Sequence, residues 1–208
     1  MLTSQGTAFL HSGQEYGRTK QFRHEDYKDP VDNLPYKSTF MTDLEGNPFE
    51  YPYFIHDSYD STDAVNKFDW EKATNEDAYP VHIETKNYTQ GLIELRRSIV
   101  AFTLRTRIEV NTNVTKIESP EIQEQDLIIG HPTKASKGKE VYYVFINADD
   151  KERTLTLSDY GLSNGEIIVD SDESGITEVT DPSGFELSKD KITIDSLTAV
   201  IVKVVGDE

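Results

Sequence analysis

The 208-residue sequence contains no cysteine, which excludes disulfide bonds, thiolate metal sites and a cysteine nucleophile. Basic residues are few, since 21 Lys and Arg stand against 38 Asp and Glu and leave a formal net charge of −17. A polyanion is repelled by such a chain wherever no basic patch intervenes, so we expect no nucleic-acid partner. No apolar run approaches the roughly 18 residues that a membrane span requires. The first ten residues also lack the basic flank of a secretory signal.

Aromatic residues are plentiful, with 11 Tyr and 9 Phe in the sequence. This composition is typical of a folded protein rather than a disordered one. The length allows one domain or a little more, and it is ample for a buried core.

The two halves of the chain differ in net charge and in amino-acid composition. Residues 1–108 carry 17 acidic and 12 basic side chains, whereas residues 109–208 carry 21 and 9. The first half is rich in aromatics and Pro, and the second consists of short β-branched runs separated by Gly, Asn, Asp and Ser. We therefore predict two domains, 1–108 and 109–208, with a boundary near residues 108–114.

The first half predicts one strand, one long loop and one helix. Residues 7–11 indicate a buried strand that ends at Ser12-Gly13. Residues 21–53 contain four prolines and no sustained period, which is typical of a functional loop. A helix is expected to begin after a cap at Asn87. Its apolar stripe, which must pack on something large, consists of Leu92, Leu95, Ile99 and Phe102.

The second half predicts antiparallel β structure. Short alternating runs bounded by turn residues recur at close spacing, which favours a sandwich of roughly a hundred residues. The predicted strands are 126–130, 140–147, 153–157, 166–170, 176–179, 185–187, 191–194 and 199–205.

One loop partly resembles a calcium-binding EF-hand. Residues 170–175, together with Asp181, place carboxylates at loop positions one, three and twelve and Gly at position six. Predicted strands rather than helices flank this loop, and position twelve is Asp rather than Glu. A polar hairpin turn is the favoured interpretation, and we expect no cofactor.

The histidines show no metal-ligand spacing, and we expect structural or surface roles for them. They are residues 11, 24, 56, 82 and 131. His11 is of most interest because it closes the predicted strand beside Gly13-Gln14-Glu15. A Ser-His-Asp hydrolase is excluded because Ser12 lacks the Gly two residues before it that a nucleophile elbow needs.

Carboxylates and aromatic rings are interleaved in two segments of the first half. They are Glu15, Asp57, Asp60, Asp63 and Asp69 among Tyr16, Tyr59, Phe68 and Trp70. Sugar rings bind by stacking on aromatics and by hydrogen bonding to carboxylates, so this mixture suits a saccharide cleft. A solvated acidic loop with its aromatics folded inward would have the same composition, and residue types alone leave both interpretations open.

Three motifs of the first half are distinctive, namely residues 6–20, residues 57–70 and residues 88–104. Together they resemble type I pullulanases, which are debranching enzymes of the α-amylase superfamily. Residues 6–20, with Gly13-Gln14-Glu15-Tyr16-Gly17-Arg18 at their centre, resemble the eighth barrel strand and the turn after it. Residues 57–70 are similar to the segment that ends in Asn and then Asp-Trp, although Asp60 and Thr62 stand where many relatives have Asn and Pro. Residues 88–104 resemble the last barrel helix.

The resemblance implies a mainly β fold with some α structure. A C-terminal β-sandwich would follow the last β/α unit of an incomplete TIM barrel. The chain would be the C-terminal portion of an enzyme that hydrolyses α-1,6-glucosidic bonds in pullulan, starch or glycogen. In that family the catalytic carboxylates come from the fourth, fifth and seventh strands, which would lie upstream of Met1. The residues expected near the sugar cleft are Glu15, Tyr16, Arg18, Tyr59, Asp63 and Asn66.

The resemblance also implies partners and a location. The partner would be an α-glucan, reached through the parent enzyme, and any calcium would belong to that enzyme. Relatives of this kind are often exported by Gram-positive bacteria, so an extracellular or cell-surface location is expected. An unpaired barrel strand and an uncovered helix face would favour self-association. A stand-alone carbohydrate-binding module and a purely structural sandwich are the alternatives.

Overall fold

A computed structural model describes residues 1–22, 37–39, 42, 46–48, 53–55, 57–59, 61, 63–158 and 160–206. These residues form two compact units, of which one is Met1–Phe9 with Asn87–Glu208 and the other is Leu10–Lys86. Among the described residues, no helix is both long and apolar enough to cross a membrane. The domain boundary near residues 108–114 stays a prediction.

The described residues contain four α-helices, all within residues 63–113. They are α1 (Asp63–Asn66), α2 (Trp70–Thr74), α3 (Pro80–Ser98) and α4 (Arg107–Asn113). Helix α3 begins seven residues before the predicted cap, because Pro80 suits a first helical position and nothing in 81–86 breaks a helix. The expected cap, Asn87, therefore lies inside the helix. The helix also ends before the last two residues of the predicted stripe, since Ile99 is extended and Phe102 lies in the 3₁₀ turn Val100–Phe102.

The predicted strand at residues 7–11 is wrong. This segment has no regular structure, and the Phe9 side chain is 82% exposed. A strand needs a neighbouring strand to satisfy its amides and carbonyls, and no described residue pairs with this segment. Further along, β1 (Gln21–Phe22), β3 (Tyr53–Ile55) and β2 (Lys37–Thr39) form a small antiparallel sheet in that order. Most of the predicted loop 21–53 lies outside the described residues.

The C-terminal half is a β-sandwich, as predicted. Its strands are β4 (Ile128–Lys134), β5 (Glu140–Asn147), β6 (Arg153–Thr156), β7 (Glu166–Val169), β8 (Phe185–Leu187), β9 (Lys191–Ile194) and β10 (Thr198–Val205). One antiparallel sheet has the order β4-β5-β10-β7, and the other has the order β6-β9-β8. The core between them includes Phe145, Leu155, Ile192, Ile194, Val200 and Val202.

The fifth predicted strand, 176–179, does not form. This segment instead runs beside β7 as an irregular cover, in which the amide of Gly175 donates to the carbonyl of Ile168 (3.1 Å) and the amide of Val179 to that of Ile167 (2.7 Å). Two isolated hydrogen bonds of this kind protect the edge of the sheet without forming a ladder.

The four-stranded sheet is buried on both faces, and the apolar stripe of α3 covers the second face. Leu95, Ala101 and Phe102 have no exposed surface, and they pack with Tyr142, Val144 and Ile201. The apolar stripe therefore packs against the sandwich of the same chain. Gly91 permits this close approach, because an added Cβ there would overlap the carbonyl oxygen of Ser174.

Candidate functional site

The turn in the first motif is built around two glycines. Gly13 (φ 94°) and Gly17 (φ 75°) adopt left-handed conformations on either side of the 3₁₀ turn Gln14–Tyr16. The Glu15 carboxylate accepts a hydrogen bond from the amide of Gly13 (2.8 Å), and the amide of Arg18 donates to the Gly13 carbonyl (2.9 Å). A Cβ at Gly13 would meet the Arg18 side chain at 2.7 Å. The two glycines therefore fix the shape of the turn that carries Glu15.

Tyr16 is the centre of this region and has no exposed surface. Its hydroxyl accepts a hydrogen bond from the amide of Asp69 (3.1 Å), and its ring meets Phe68 edge-on at a centroid distance of 5.1 Å. Nδ1 of His82, in the first turn of α3, lies 2.7 Å from the Tyr16 carbonyl oxygen. Tyr16 therefore joins the turn to the second motif and to α3. Because it is buried, it can position neighbouring groups but cannot stack on a sugar.

Arg18 and Asn66 form a second link between the two motifs. The Arg18 guanidinium donates to the carbonyl of Asn66 (3.1 Å). The Asn66 carboxamide donates to the carbonyls of Ser58 (2.7 Å) and Ser61 (3.2 Å). Asn66 thus closes the loop that carries Tyr59, and its amide hydrogens are already engaged.

The remaining site residues face solvent. The Tyr59 side chain is 96% exposed, and its amide donates to the Asp57 carboxylate (3.0 Å). Asp63 is exposed at the start of α1. The Trp70 side chain is 70% exposed and rests on Phe68 at a centroid distance of 4.5 Å. Two exposed rings beside carboxylates and a half-buried guanidinium can stack on sugars and hydrogen-bond to their hydroxyls.

The structure thus gives different positions to the predicted site residues. Arg18 is hydrogen-bonded to Asn66, and Tyr16 is hydrogen-bonded to Asp69 and His82. Glu15 accepts a hydrogen bond within the turn, and Tyr59 and Asp63 lie at the surface. Asp60 and Thr62, where the motif departs from its relatives, lie outside the described residues, as do His24 and His56. His11 is exposed and does not close a buried strand, although its carbonyl accepts from the amide of Gln14 (2.9 Å).

The sequence predicted a structural or surface role for His82, and its contact with the Tyr16 carbonyl oxygen is structural, but the sequence did not predict that contact. Pro80 was the available signal, because a helix beginning there puts His82 in its first turn.

The loop that imitates an EF-hand is organised by hydrogen bonds. Asp170 is fully buried, and its carboxylate accepts from the amides of Glu173 (2.8 Å) and Ser183 (2.8 Å), among others. The hydroxyl of Tyr88, on α3, donates to the Asp170 carbonyl (2.9 Å). Asp181 is exposed. Among the described residues, no group of three or more His, Asp and Glu is arranged to hold a metal ion.

The C-terminal half is a β-sandwich domain, and residues 113–205 match the family described as SpuA C-terminal. Over 98% of its length the chain is 46% identical to pullulanase A of Streptococcus pneumoniae, of which it covers 17%. It therefore matches the C-terminal region of pullulanases, and the predicted relationship is confirmed.

Solved structures agree with this assignment. The pullulanase SAP of Group B Streptococcus superimposes with a TM-score of 0.84 at 48% identity, covering 98% of this chain and 26% of that one. A pullulanase from Bacillus acidopullulyticus has a TM-score of 0.62 at 22% identity over 98% of this chain and 19% of its own, which shows a shared fold alone. The chain spans about a sixth of the length of the curated relatives it matches.

Proposed function

We propose that this chain is part of a debranching enzyme that hydrolyses α-1,6-glucosidic bonds in pullulan, starch or glycogen. The observation that carries the proposal is the similarity over 98% of the chain to proteins named pullulanase A. Related structures bear the descriptions "glycogen-degrading" and "in complex with maltotetraose". The finer architecture belongs to the same proposal: in the whole enzyme residues 6–104 form the last β/α unit of a TIM barrel, and residues 7–11 become a strand there by pairing with barrel strands that this chain does not contain.

The role of residues 10–86 is to shape and support one side of the glucan cleft. Tyr16, Arg18 and Asn66 hold the turn and the second motif together, whereas Glu15, Tyr59 and Asp63 border the cleft. This division is supported by burial, since Tyr16 has no exposed surface and Tyr59 is nearly fully exposed. The carboxylates that cleave the bond belong to the part of the enzyme upstream of this chain.

The role of the sandwich is structural. Sugar-binding modules stack exposed aromatic rings on sugars, and the aromatic side chains of the described sandwich residues are buried or half-buried. They are Tyr142, Tyr143, Phe145, Tyr160 and Phe185. The sheet instead covers α3, which supports a shielding function at one end of the barrel.

The proposal extends to partners and location. The partner is an α-glucan, and the enzyme acts outside the cell or at the surface of a Gram-positive bacterium, which the streptococcal relatives support. Exposed apolar side chains, including Phe9, Trp70 and Val81, support self-association of the isolated chain. This chain holds no cofactor, and any calcium is assigned to the rest of the enzyme.

Pullulan hydrolysis tests the proposal. The full-length protein should release reducing sugar from pullulan, and the isolated 208-residue chain should release none. Hydrolysis by the isolated chain at the rate of the full-length protein would place the catalytic groups in this chain and overturn the assignment. A full-length protein inactive on pullulan, starch and glycogen would overturn the activity itself.

A stand-alone carbohydrate-binding module is the second candidate, and the exposure of Tyr59 and Trp70 favours it. Retardation of the isolated chain in a native gel that contains glycogen would support binding. Tyr59→Ala and Trp70→Ala should abolish retardation if these rings stack on the glucan, whereas Tyr160→Ala on the sandwich serves as the matched control. Retardation that is lost in Tyr160→Ala alone would indicate that the binding site lies on the sandwich.

A further inference from the structure

His82 contacts the backbone of the Gly13–Gly17 turn directly. Its Nδ1 lies 2.7 Å from the carbonyl oxygen of Tyr16, and a carbonyl oxygen can only accept a hydrogen bond. Nδ1 of His82 therefore carries a hydrogen and donates it to Tyr16. Both residues belong to the unit Leu10–Lys86, so this contact lies within one compact unit.

Helix α3 determines where the His82 side chain lies. His82 is in the first turn of this helix, and its half-buried ring lies at a centroid distance of 6.0 Å from the rings of both Tyr16 and Tyr79. Thr85, three residues further on, contacts the same turn, since a Cβ added at Gly17 would meet its methyl group at 3.8 Å. A regular helix therefore presents the imidazole to the turn, and groups on helices are placed more accurately than groups on loops.

The hydrogen bond from His82 fixes one peptide group of the turn. The carbonyl of Tyr16 and the amide of Gly17 belong to the same planar peptide group. The amide of Gly17 donates to the carbonyl of Gln14 (3.1 Å), and the carbonyl of Tyr16 accepts from His82. Both polar atoms of this peptide are thus engaged, and Glu15 lies between the residues that they connect.

We propose that His82 is a positioning residue for the glucan cleft: its Nδ1–H fixes the Tyr16–Gly17 peptide and thereby sets the position of Glu15. His82 acts through the turn and not by contact with the glucan. The place of Glu15 at the cleft rests on the function proposed above, whereas the effect of His82 on the turn does not. The two parts are therefore tested separately.

The tautomer of His82 tests the hydrogen bond. A neutral imidazole carries its hydrogen on one nitrogen, and hydrogen-bond partners decide which nitrogen that is. In ¹⁵N–¹H correlation spectra of the 208-residue chain at alkaline pH, His82 should carry its hydrogen on Nδ1 and leave Nε2 bare. The signal is assigned by its loss in His82→Asn. A hydrogen on Nε2 would remove the donor and overturn the inference.

Hydrogen exchange on the same chain tests the effect on the turn. In His82→Ala the amides of Gly17 and Arg18 should exchange about tenfold faster, because the peptide that closes the turn loses one of its hydrogen bonds. Val81→Ala is the matched control, since Val81 is the exposed neighbour in the same helical turn. Amides of β5 report whether the sandwich stays folded. Turn amides that exchange alike in His82→Ala and Val81→Ala would contradict the proposal.

Two conservative variants separate the hydrogen bond from the stability of the helix. The carboxamide of Asn can place an N–H where Nδ1 stands, whereas that of Gln reaches the position of Nε2. His82→Asn should therefore restore exchange rates close to those of the wild type, and His82→Gln should resemble His82→Ala. Gln is the better helix former, so a role limited to helix stability predicts the opposite order. Observation of that opposite order would refute the positioning role.

Steady-state kinetics of the full-length protein tests the functional part. His82→Ala and His82→Gln should raise KM for pullulan about tenfold and leave kcat within about twofold, because a misplaced turn weakens glucan binding. His82→Asn should keep KM near that of the wild type. An unchanged KM in His82→Ala, whether or not kcat falls, would overturn the functional part. If the wild type is inactive on pullulan, the proposed function fails, and the tautomer and exchange experiments still decide whether His82 fixes the turn.

Discussion

Different interactions stabilise the sandwich and the segment Leu10–Lys86. The four-stranded sheet buries consecutive residues on both faces, so that Val200, Ile201 and Val202 have no exposed surface. In the segment, by contrast, a few hydrogen bonds and ring contacts connect neighbouring residues to the buried Tyr16, and the side chains of Tyr59 and Trp70 are exposed. The stability of the sandwich is therefore spread over many buried apolar side chains, whereas the stability of the segment depends on a small number of polar contacts.

This difference has a consequence for mutation. Substitutions in the sandwich should lower global stability, because each buried side chain contacts many others. Substitutions in the segment should change local order and leave the sandwich intact.

The largest effect is expected at the centre of the sandwich core. Phe145→Ala should lower the free energy of unfolding by about 4 kcal/mol, because it removes a fully buried ring and leaves a cavity. Phe9→Ala, which truncates an exposed ring, should change it by less than about 0.5 kcal/mol. Urea denaturation of the 208-residue chain measures both. Equal losses would mean that burial does not distinguish the two positions.

The second effect is expected at Asp170. Asp170→Ala should cost about 3 kcal/mol of unfolding free energy, because the amides of Glu173 and Ser183 lose a buried charged acceptor. Asp181→Ala, at the other end of the EF-hand-like pattern, should be nearly neutral, since that side chain is exposed. Thermal unfolding with and without calcium measures both effects. A calcium-dependent stabilisation lost in both variants would restore the metal-site interpretation.

A smaller, local effect is expected at Tyr16. Tyr16→Phe removes the acceptor of the Asp69 amide and should cost about 1 kcal/mol, confined to the segment. Faster exchange of the Asp69 amide, with unchanged exchange in β5, is the expected result. Tyr59→Phe serves as the control because that side chain is 96% exposed. Faster exchange throughout the sandwich in Tyr16→Phe would contradict the separation of the two regions.

The smallest effect is a pH dependence at the edge of the sandwich. Hydrogen bonds from the Ser119 hydroxyl and from the hydroxyl and amide of Thr156 lower the pKa of Glu121 from 4.5 to about 2. The folded state therefore favours the carboxylate, and the stability it contributes is present above pH 4.5 and is lost as the pH falls towards about 2. Glu121→Gln should flatten this part of the profile. Parallel profiles for variant and wild type from neutral pH to about pH 3 would contradict it.

Local pattern was enough to predict most of the sandwich. The strands Glu140–Asn147, Phe185–Leu187 and Lys191–Ile194 begin and end at the predicted residues. Their alternation of apolar and polar residues is a local property, because one face of each strand must turn towards the core. Residues 176–179 share that pattern but form no ladder, since pairing depends on what lies beside them.

The site was predicted in part. The motif with Gly13 and Gly17 indicated a turn, and both glycines adopt the left-handed conformation that a turn of this kind requires. The sequence did not predict that Tyr16 would be buried or that His82 would contact its carbonyl. Both facts depend on the distance between segments more than fifty residues apart along the chain.

The sequence alone determined the β character of the C-terminal half, the apolar stripe at the end of α3 and the relationship to pullulanases, because periodicity and motifs are written in neighbouring residues. The tertiary structure alone decided that the stripe covers the sandwich sheet, that residues 7–11 form no strand and that Tyr16 is buried. Such pairings depend on which surfaces meet in space, and spacing along the chain does not specify them.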